Sequence, residues 1–230
     1  MPQNVSRDLM KGFYDFCYSI NAPIVGGHTI VCPWPIMGGS VTAITEKANI
    51  VYNTGAKKGD LVLLTKPLGT QPAMGILRVP AKEKASILRD ISGTVISRAI
   101  DKAIKVMITP NKEAAEIMVE VGVNACTDVT GFGFLGHSEI MAKRSCVDIE
   151  LHTLPVIRGT IKISSALGYG LELGESAETS GGLLISVEKE KADLLVTKLK
   201  RKKIQAYEVG AVRKGLGKAY LSKNAQILEV

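Results

Sequence analysis

The stretch from Cys126 to His137, C-T-D-V-T-G-F-G-F-L-G-H, brings a carboxylate, two threonines and three glycines together. Asp128 is a hard oxygen donor of the kind Mg²⁺ prefers. Gly131, Gly133 and Gly136 let a backbone approach phosphate oxygens with no Cβ in the way. In outline this is a loop for phosphate and metal. Two other readings fit the same residues. Gly131 to Gly136 matches G-x-G-x-x-G, with Glu150 placed downstream to hold a ribose. A dinucleotide-binding strand should, however, run as a buried apolar segment straight into its first glycine, and here Cys126, Thr127, Asp128 and Thr130 intervene. In the third reading Asp128 or Thr130 caps a helix that begins near Phe134, and the glycines make a tight entry.

Gly26-Gly27-His28-Thr29 is a second candidate. It follows an apolar pair and offers unhindered N–H groups, a hydroxyl and an imidazole, all useful around a nucleotide triphosphate. A structural Gly-Gly turn with a hydrogen-bonded histidine accounts for the same residues. Lys66, just after an apolar run, is in reach of a phosphate but reads as a solvated lysine and is left out of the site. The four cysteines, Cys17, Cys32, Cys126 and Cys146, form no C-x-x-C pair and have no histidine at metal spacing. They read as buried, reduced thiols, Cys126 included, rather than as a disulfide framework, a zinc site or a nucleophile.

These residues need elements to hold them. Leu9, Phe13, Phe16, Cys17 and Ile20 recur at helical spacing, which predicts a helix over Asp8 to Ile20 ending before Pro23. Ile24-Val25, Thr29 to Val31 and Ile36 to Ile44 read as strands, with a bend at Gly38-Gly39. One helix and two or three strands do not close a core, so residues 1–55 are expected to be the remnant of a domain. Asn53 to Asp60 is the linker, and residues 56–230 are the second domain.

In that domain Leu61 to Thr65 is a buried strand, and Lys66 to Gly69 is a turn. A long helix runs from Lys82 to Met107 on the stripe Ala85, Leu88, Ile91, Val95, Ala99 and Ala103, with a break near Gly93. Thr109-Pro110 starts another helix, which ends at Gly122. Further elements follow as a helix from Phe134 to Lys143, a strand over Val147 to Leu151, a helix over Pro155 to Leu167, and a strand over Gly181 to Val187. The last are a helix over Glu188 to Lys202 and strands at Tyr207 to Val212 and Ala219 to Ser222. Long helices between non-adjacent strands predict an α+β fold, a sheet with helices on one side.

Composition narrows the function classes. With 46% hydrophobic residues the chain is expected to form a globule. Its apolar runs are strand-length, far short of a membrane span, and the N-terminus has no apolar signal core, so the expected residence is cytoplasmic. A formal charge of +7 suits polyphosphate ligands. Much of the excess is Lys198, Lys200, Arg201, Lys202 and Lys203 at one helix end, which reads as a solvated face. At 5% aromatic residues there is none of the interleaving used to bind nucleic acid.

The run A-C-T-D-V-T-G-F-G-F-L-G-H resembles the signature of the selenophosphate synthetase (selenide, water dikinase) family, within the superfamily that includes aminoimidazole ribonucleotide synthetase. Gly26 to Thr29, Cys32-Pro33-Trp34 and G-D-L-V-L-L-T-K-P-L-G-T from Gly59 agree in order. E-T-S-G-G-L-L-I from Glu178 and the closing Ile227 to Val230 resemble the eukaryotic branch. The resemblance implies a PurM-like C-terminal domain behind an incomplete N-terminal one. It also implies conversion of ATP, selenide and water to selenophosphate, AMP and phosphate, which supplies selenium for selenocysteine. ATP would be bound by Gly26, Gly27, His28 and Thr29 from the neighbouring subunit of a homodimer, and Mg²⁺ by Asp128. Cys32, where relatives usually have Asn, makes the local turn less family-like. The family's reactive Cys or selenocysteine, its essential Lys and further metal aspartates belong to a segment ahead of these residues. The chain is therefore expected not to catalyse alone, with no catalytic residue of its own. Two alternatives are a non-catalytic dimerisation partner of a full-length subunit and a related ATP-dependent synthetase. The second should lack the paired E-T-S-G-G-L-L and A-C-T-D-V-T-G-F-G-F-L-G-H motifs.

Overall fold

The computed structural model describes the whole chain except residues 1, 35, 81, 85–88 and 90. It divides into two compact units, Met1–Lys47 and Ala48–Val230.

The first unit carries one helix, α1 (Gln3–Ser19), which starts behind Pro2. It ends where Asn21 turns to φ 58° and the N–H of Ala22 donates to Cys17 O at 2.9 Å. The helix expected from Asp8 thus begins earlier, at Gln3, and none of its residues is buried. The three strands expected between Ile24 and Ile44 are not formed among the described residues, which are irregular there and mostly exposed. β-branched residues favour extended backbone, but a strand also needs a neighbour to accept its hydrogen bonds, and the described part of this unit offers none.

The second unit is built on a six-stranded mixed sheet in the order β2-β4-β1-β5-β3-β6. Its strands are β1 (Leu61–Leu64), β2 (Ala125–Asp128), β3 (Asp148–Val156), β4 (Leu183–Val187), β5 (Tyr207–Arg213) and β6 (Ala219–Glu229). The β2–β4, β4–β1, β1–β5 and β5–β3 pairs are antiparallel, and only β3–β6 is parallel. The helices are α2 (Thr70–Gly75), α3 (Gly93–Ile108), α4 (Lys112–Val121), α5 (Gly133–Ser145), α6 (Thr160–Leu167) and α7 (Lys189–Arg201).

The α+β class holds, but the helices cover both faces of the sheet rather than one. Val62, Leu64, Leu184 and Ala125 point into a core closed by Phe134, Met141 and Ala142 of α5. Leu63, Ile185, Val187 and Cys126 point the other way, onto Ala114, Ile117 and Met118 of α4 and Ala192, Leu195 and Leu199 of α7. Successive side chains of a strand face opposite ways, so β4, buried at all five positions, must be covered twice.

Other expectations shift at their ends. The break at Gly93 is a true helix start: Ser92 caps α3 by accepting from the N–H of Val95. Lys82–Lys84 are helical, while Ala85 and Leu88 of the expected stripe lie outside the described residues. α4 starts after Asn111 rather than at Thr109-Pro110, and ends as expected at Gly122 with φ 75°. Pro155, expected to open a helix, instead belongs to β3. Its carbonyl accepts from Leu68 N at 2.8 Å, so the missing N–H costs nothing on that side. Only Cys126 among the cysteines is buried; Cys146 is exposed, and Cys17 and Cys32 are half-buried.

Candidate active-site loop

The C-T-D-V-T-G-F-G-F-L-G-H stretch leaves β2 at Asp128, turns at Gly131 and Phe132, and enters α5 at Gly133. Asp128 is exposed, between buried Cys126 and buried Val129. Gly133 has φ 70°, and a Cβ on it would lie 2.6 Å from Glu175 O, so glycine alone fits at that entry. Neither Asp128 nor Thr130 caps α5: its N-cap is Phe132, with no side-chain bond. Thr130 is bound instead by His137, one turn into the helix, whose Nε2 accepts from Thr130 N at 2.9 Å and lies 3.1 Å from Thr130 Oγ1.

That contact fixes the histidine's chemistry. An acceptor Nε2 carries a lone pair, so the ring is neutral with its proton on Nδ1. Burial lowers the His137 pKa, against the opposing charge of Asp128. His137 is thus a strut for the loop. Cys126 is equally unreactive, with its thiol pushed up to about 12 by burial and by Asp128, far from the thiolate a nucleophile needs. The dinucleotide reading fails on topology. β2 is an edge strand paired antiparallel to β4, and Glu150 is engaged by Arg213 at 2.8 Å.

A second loop holds the first. Thr130 O accepts from Glu178 N at 2.9 Å, and Gly182 O accepts from Val129 N at 2.9 Å. Glu178 is buried beneath it. Its Oε1 accepts from Gly69 N at 2.6 Å, and its Oε2 from Thr70 N at 2.9 Å and Thr70 Oγ1 at 2.5 Å. Burial pushes this carboxyl up to about 7, although each of those bonds pulls it down. The glycines of E-T-S-G-G are there for clearance. A Cβ on Gly181 would sit 2.1 Å from Val129 O, and one on Gly182 2.4 Å from Lys66 N. Lys66 departs from its expected place in solvent. Its buried ammonium donates to Thr109 O at 2.6 Å and Ser180 O at 2.9 Å, and burial lowers its pKa to about 8. Neither role was readable in advance. A lysine after a strand and a glutamate before a turn give no local signal that long-range carbonyls or amides are waiting.

Of the residues singled out from the sequence, Asp128 lies in the second unit. Gly26, Gly27, His28 and Thr29 lie in the first, all exposed on irregular backbone. No group of three or more His, Cys, Asp or Glu side chains suited to a metal occurs among the described residues. An exposed carboxylate at the end of a glycine turn fits a Mg²⁺ that takes most of its six oxygens from phosphate and water.

Comparisons with known proteins identify the family and the fold. The family model described as AIR synthase related protein, C-terminal domain, matches residues 57–221. The chain is 44% identical to the selenide, water dikinase of Methanococcus maripaludis over 100% of its own length and 70% of the relative's. It is 45% identical to that of Methanocaldococcus jannaschii, spanning 68% of it, and 37% identical to selenide, water dikinase 2 of mouse, spanning 52%. Among solved structures, thiamine-monophosphate kinase from Stenotrophomonas maltophilia K279a superposes with a TM-score of 0.57 at 17% identity, over 76% of this chain and 54% of that one. The hydrogenase maturation protein HypE in complex with ATP superposes at 0.55 and 18%, over 74% of this chain and 49% of that one. These two share the fold. The identity to the dikinases over the whole of this chain and more than two thirds of the first two relatives places it in the selenide, water dikinase family.

Proposed function

We propose that this chain is part of a selenophosphate synthetase, converting ATP, selenide and water to selenophosphate, AMP and phosphate and so feeding selenocysteine synthesis in the cytoplasm. The single observation that carries the reading is the exposed Asp128 on a glycine turn braced by His137 and by the Glu178–Gly182 loop. Mg²⁺ bound there would neutralise phosphate charge as it develops. Asp128 would hold the ion, and the amides of the turn would face the phosphate oxygens. Gly26, Gly27, His28 and Thr29 would contact ATP across a homodimer. ATP in the HypE complex and the kinase names of the neighbours support a nucleotide as substrate. Among the described residues no helix is long and apolar enough to cross a membrane.

One carboxylate does not hold Mg²⁺ tightly, so these residues by themselves are expected not to turn over ATP. Anaerobic phosphorus NMR with ATP, Mg²⁺ and selenide tests the reading on two proteins. One is this chain; the other is the chain joined to the part of the Methanococcus maripaludis relative that it does not span. Selenophosphate and AMP from the joined protein only, lost with Asp128→Ala, is the expected result. Turnover unchanged by Asp128→Ala would overturn it. A non-catalytic partner role would leave the joined protein silent.

A further inference from the structure

The charges on the other face of the sheet are not used by the Asp128 loop. A cleft of about 320 Å³ lies where β1 ends, between α3, the α3–α4 link and the residues after α7. Lys66, Lys102, Lys105 and Lys203 line it over an apolar floor of Val106, Ala114 and Ile204, and no carboxylate is among its lining residues within the described part of the chain. Lys102, Lys105 and Lys203 form no ion pair among the described residues. Lys66 is only 7% exposed, yet both its acceptors are neutral carbonyls, Thr109 O and Ser180 O. An ammonium carries three N–H donors, so one remains for a ligand. A buried cation is normally paired with a carboxylate. Here it lines a cleft whose described charged residues are all cationic, and Lys200, Arg201 and Lys202 at the end of α7 extend the positive field.

We infer that this cleft binds a small multivalent phosphate anion, at a place distinct from the Asp128 loop. Lys66 meets one phosphate group, and Lys102, Lys105 and Lys203 close on the others. An apolar floor suits a ligand whose phosphates are carried on a less polar body, and the volume is at the small-molecule end of the range, about 300–1,000 Å³. The lowered pKa of Lys66 agrees: burial disfavours its ammonium, and an arriving anion would offset that cost.

Calorimetry with inorganic pyrophosphate, in the absence of Mg²⁺, tests the site independently of the metal reading. The wild-type chain should bind, more weakly as salt rises, and Asp128→Ala should bind equally well. Combined Lys102→Glu, Lys105→Glu and Lys203→Glu should weaken binding by about tenfold or more, with thermal unfolding little changed because these side chains hold no ion pair. Lys66→Met should weaken it further; should that variant fail to fold, the triple variant still decides. Four results would overturn the proposal: no binding by wild type, unchanged binding by the triple variant, loss of binding in Asp128→Ala, or binding of an RNA oligonucleotide without pyrophosphate.

Discussion

At the scale of single residues, two buried groups decide how firmly Asp128 is presented. His137 is the acceptor for Thr130 N–H, and no water or side chain need replace it. His137→Phe keeps the apolar packing and strands that donor. We expect a loss of about 1 kcal/mol in urea unfolding, because the donor is only half-buried. A variant as stable as wild type would show that the strut is dispensable.

Glu178 makes a prediction about pH. Its folded pKa of about 7 lies above the ordinary 4.5 because burial disfavours the carboxylate. The folded state therefore binds the proton more tightly than the unfolded one. The resulting stabilisation is complete below about pH 4.5 and is lost as pH rises through 7. Relative to Glu178→Gln, the wild-type chain should lose roughly 3 kcal/mol between those limits. Parallel stability curves for the two proteins would contradict the assignment.

At the scale of elements, the Asp128 loop depends on close passage of two backbones. Gly181 lies against Val129 O and Gly182 against Lys66 N, so E-T-S-G-G is a clearance motif that lets β4 start beside the loop leaving β2. Gly181→Ala should cost about 1–3 kcal/mol and shift the amide resonances of Val129 and Thr130. Unshifted resonances would show that the passage is looser than the structure has it.

The elements themselves were largely legible. Periodicity located α4 and α7, and the mostly apolar run of β4 marked a buried strand. Three things were not. The second covering face needed the pairing order, which no local pattern carries. The continuation of β3 through Pro155 was hidden because proline is tolerated where only its carbonyl is used. The strands expected between Ile24 and Ile44 had the right residues, but pairing partners are a non-local property. The tight glycine entry into α5 could be read from Gly131 and Gly133, while the partners of Lys66 and Glu178, 43 to 114 residues away, could not.

At the scale of the whole molecule, a sheet covered on both faces carries the exposed Asp128 turn at which Mg²⁺ is proposed to bind. The sheet holds Asp128, the E-T-S-G-G turn and the end of β1 at one edge: Asp128 pairs with Leu183, and Thr65 Oγ1 accepts from Leu183 N at 2.8 Å. Mn²⁺, a paramagnetic stand-in for Mg²⁺, titrated with ATP into the isotopically labelled chain tests metal binding there most directly, because broadening of amide signals reports distance from the ion. The account predicts that Thr127 to Gly131 broaden first, and that Asp128→Ala abolishes this while leaving the remaining spectrum in place. Broadening elsewhere with that loop untouched, or an identical pattern in Asp128→Ala, would contradict it.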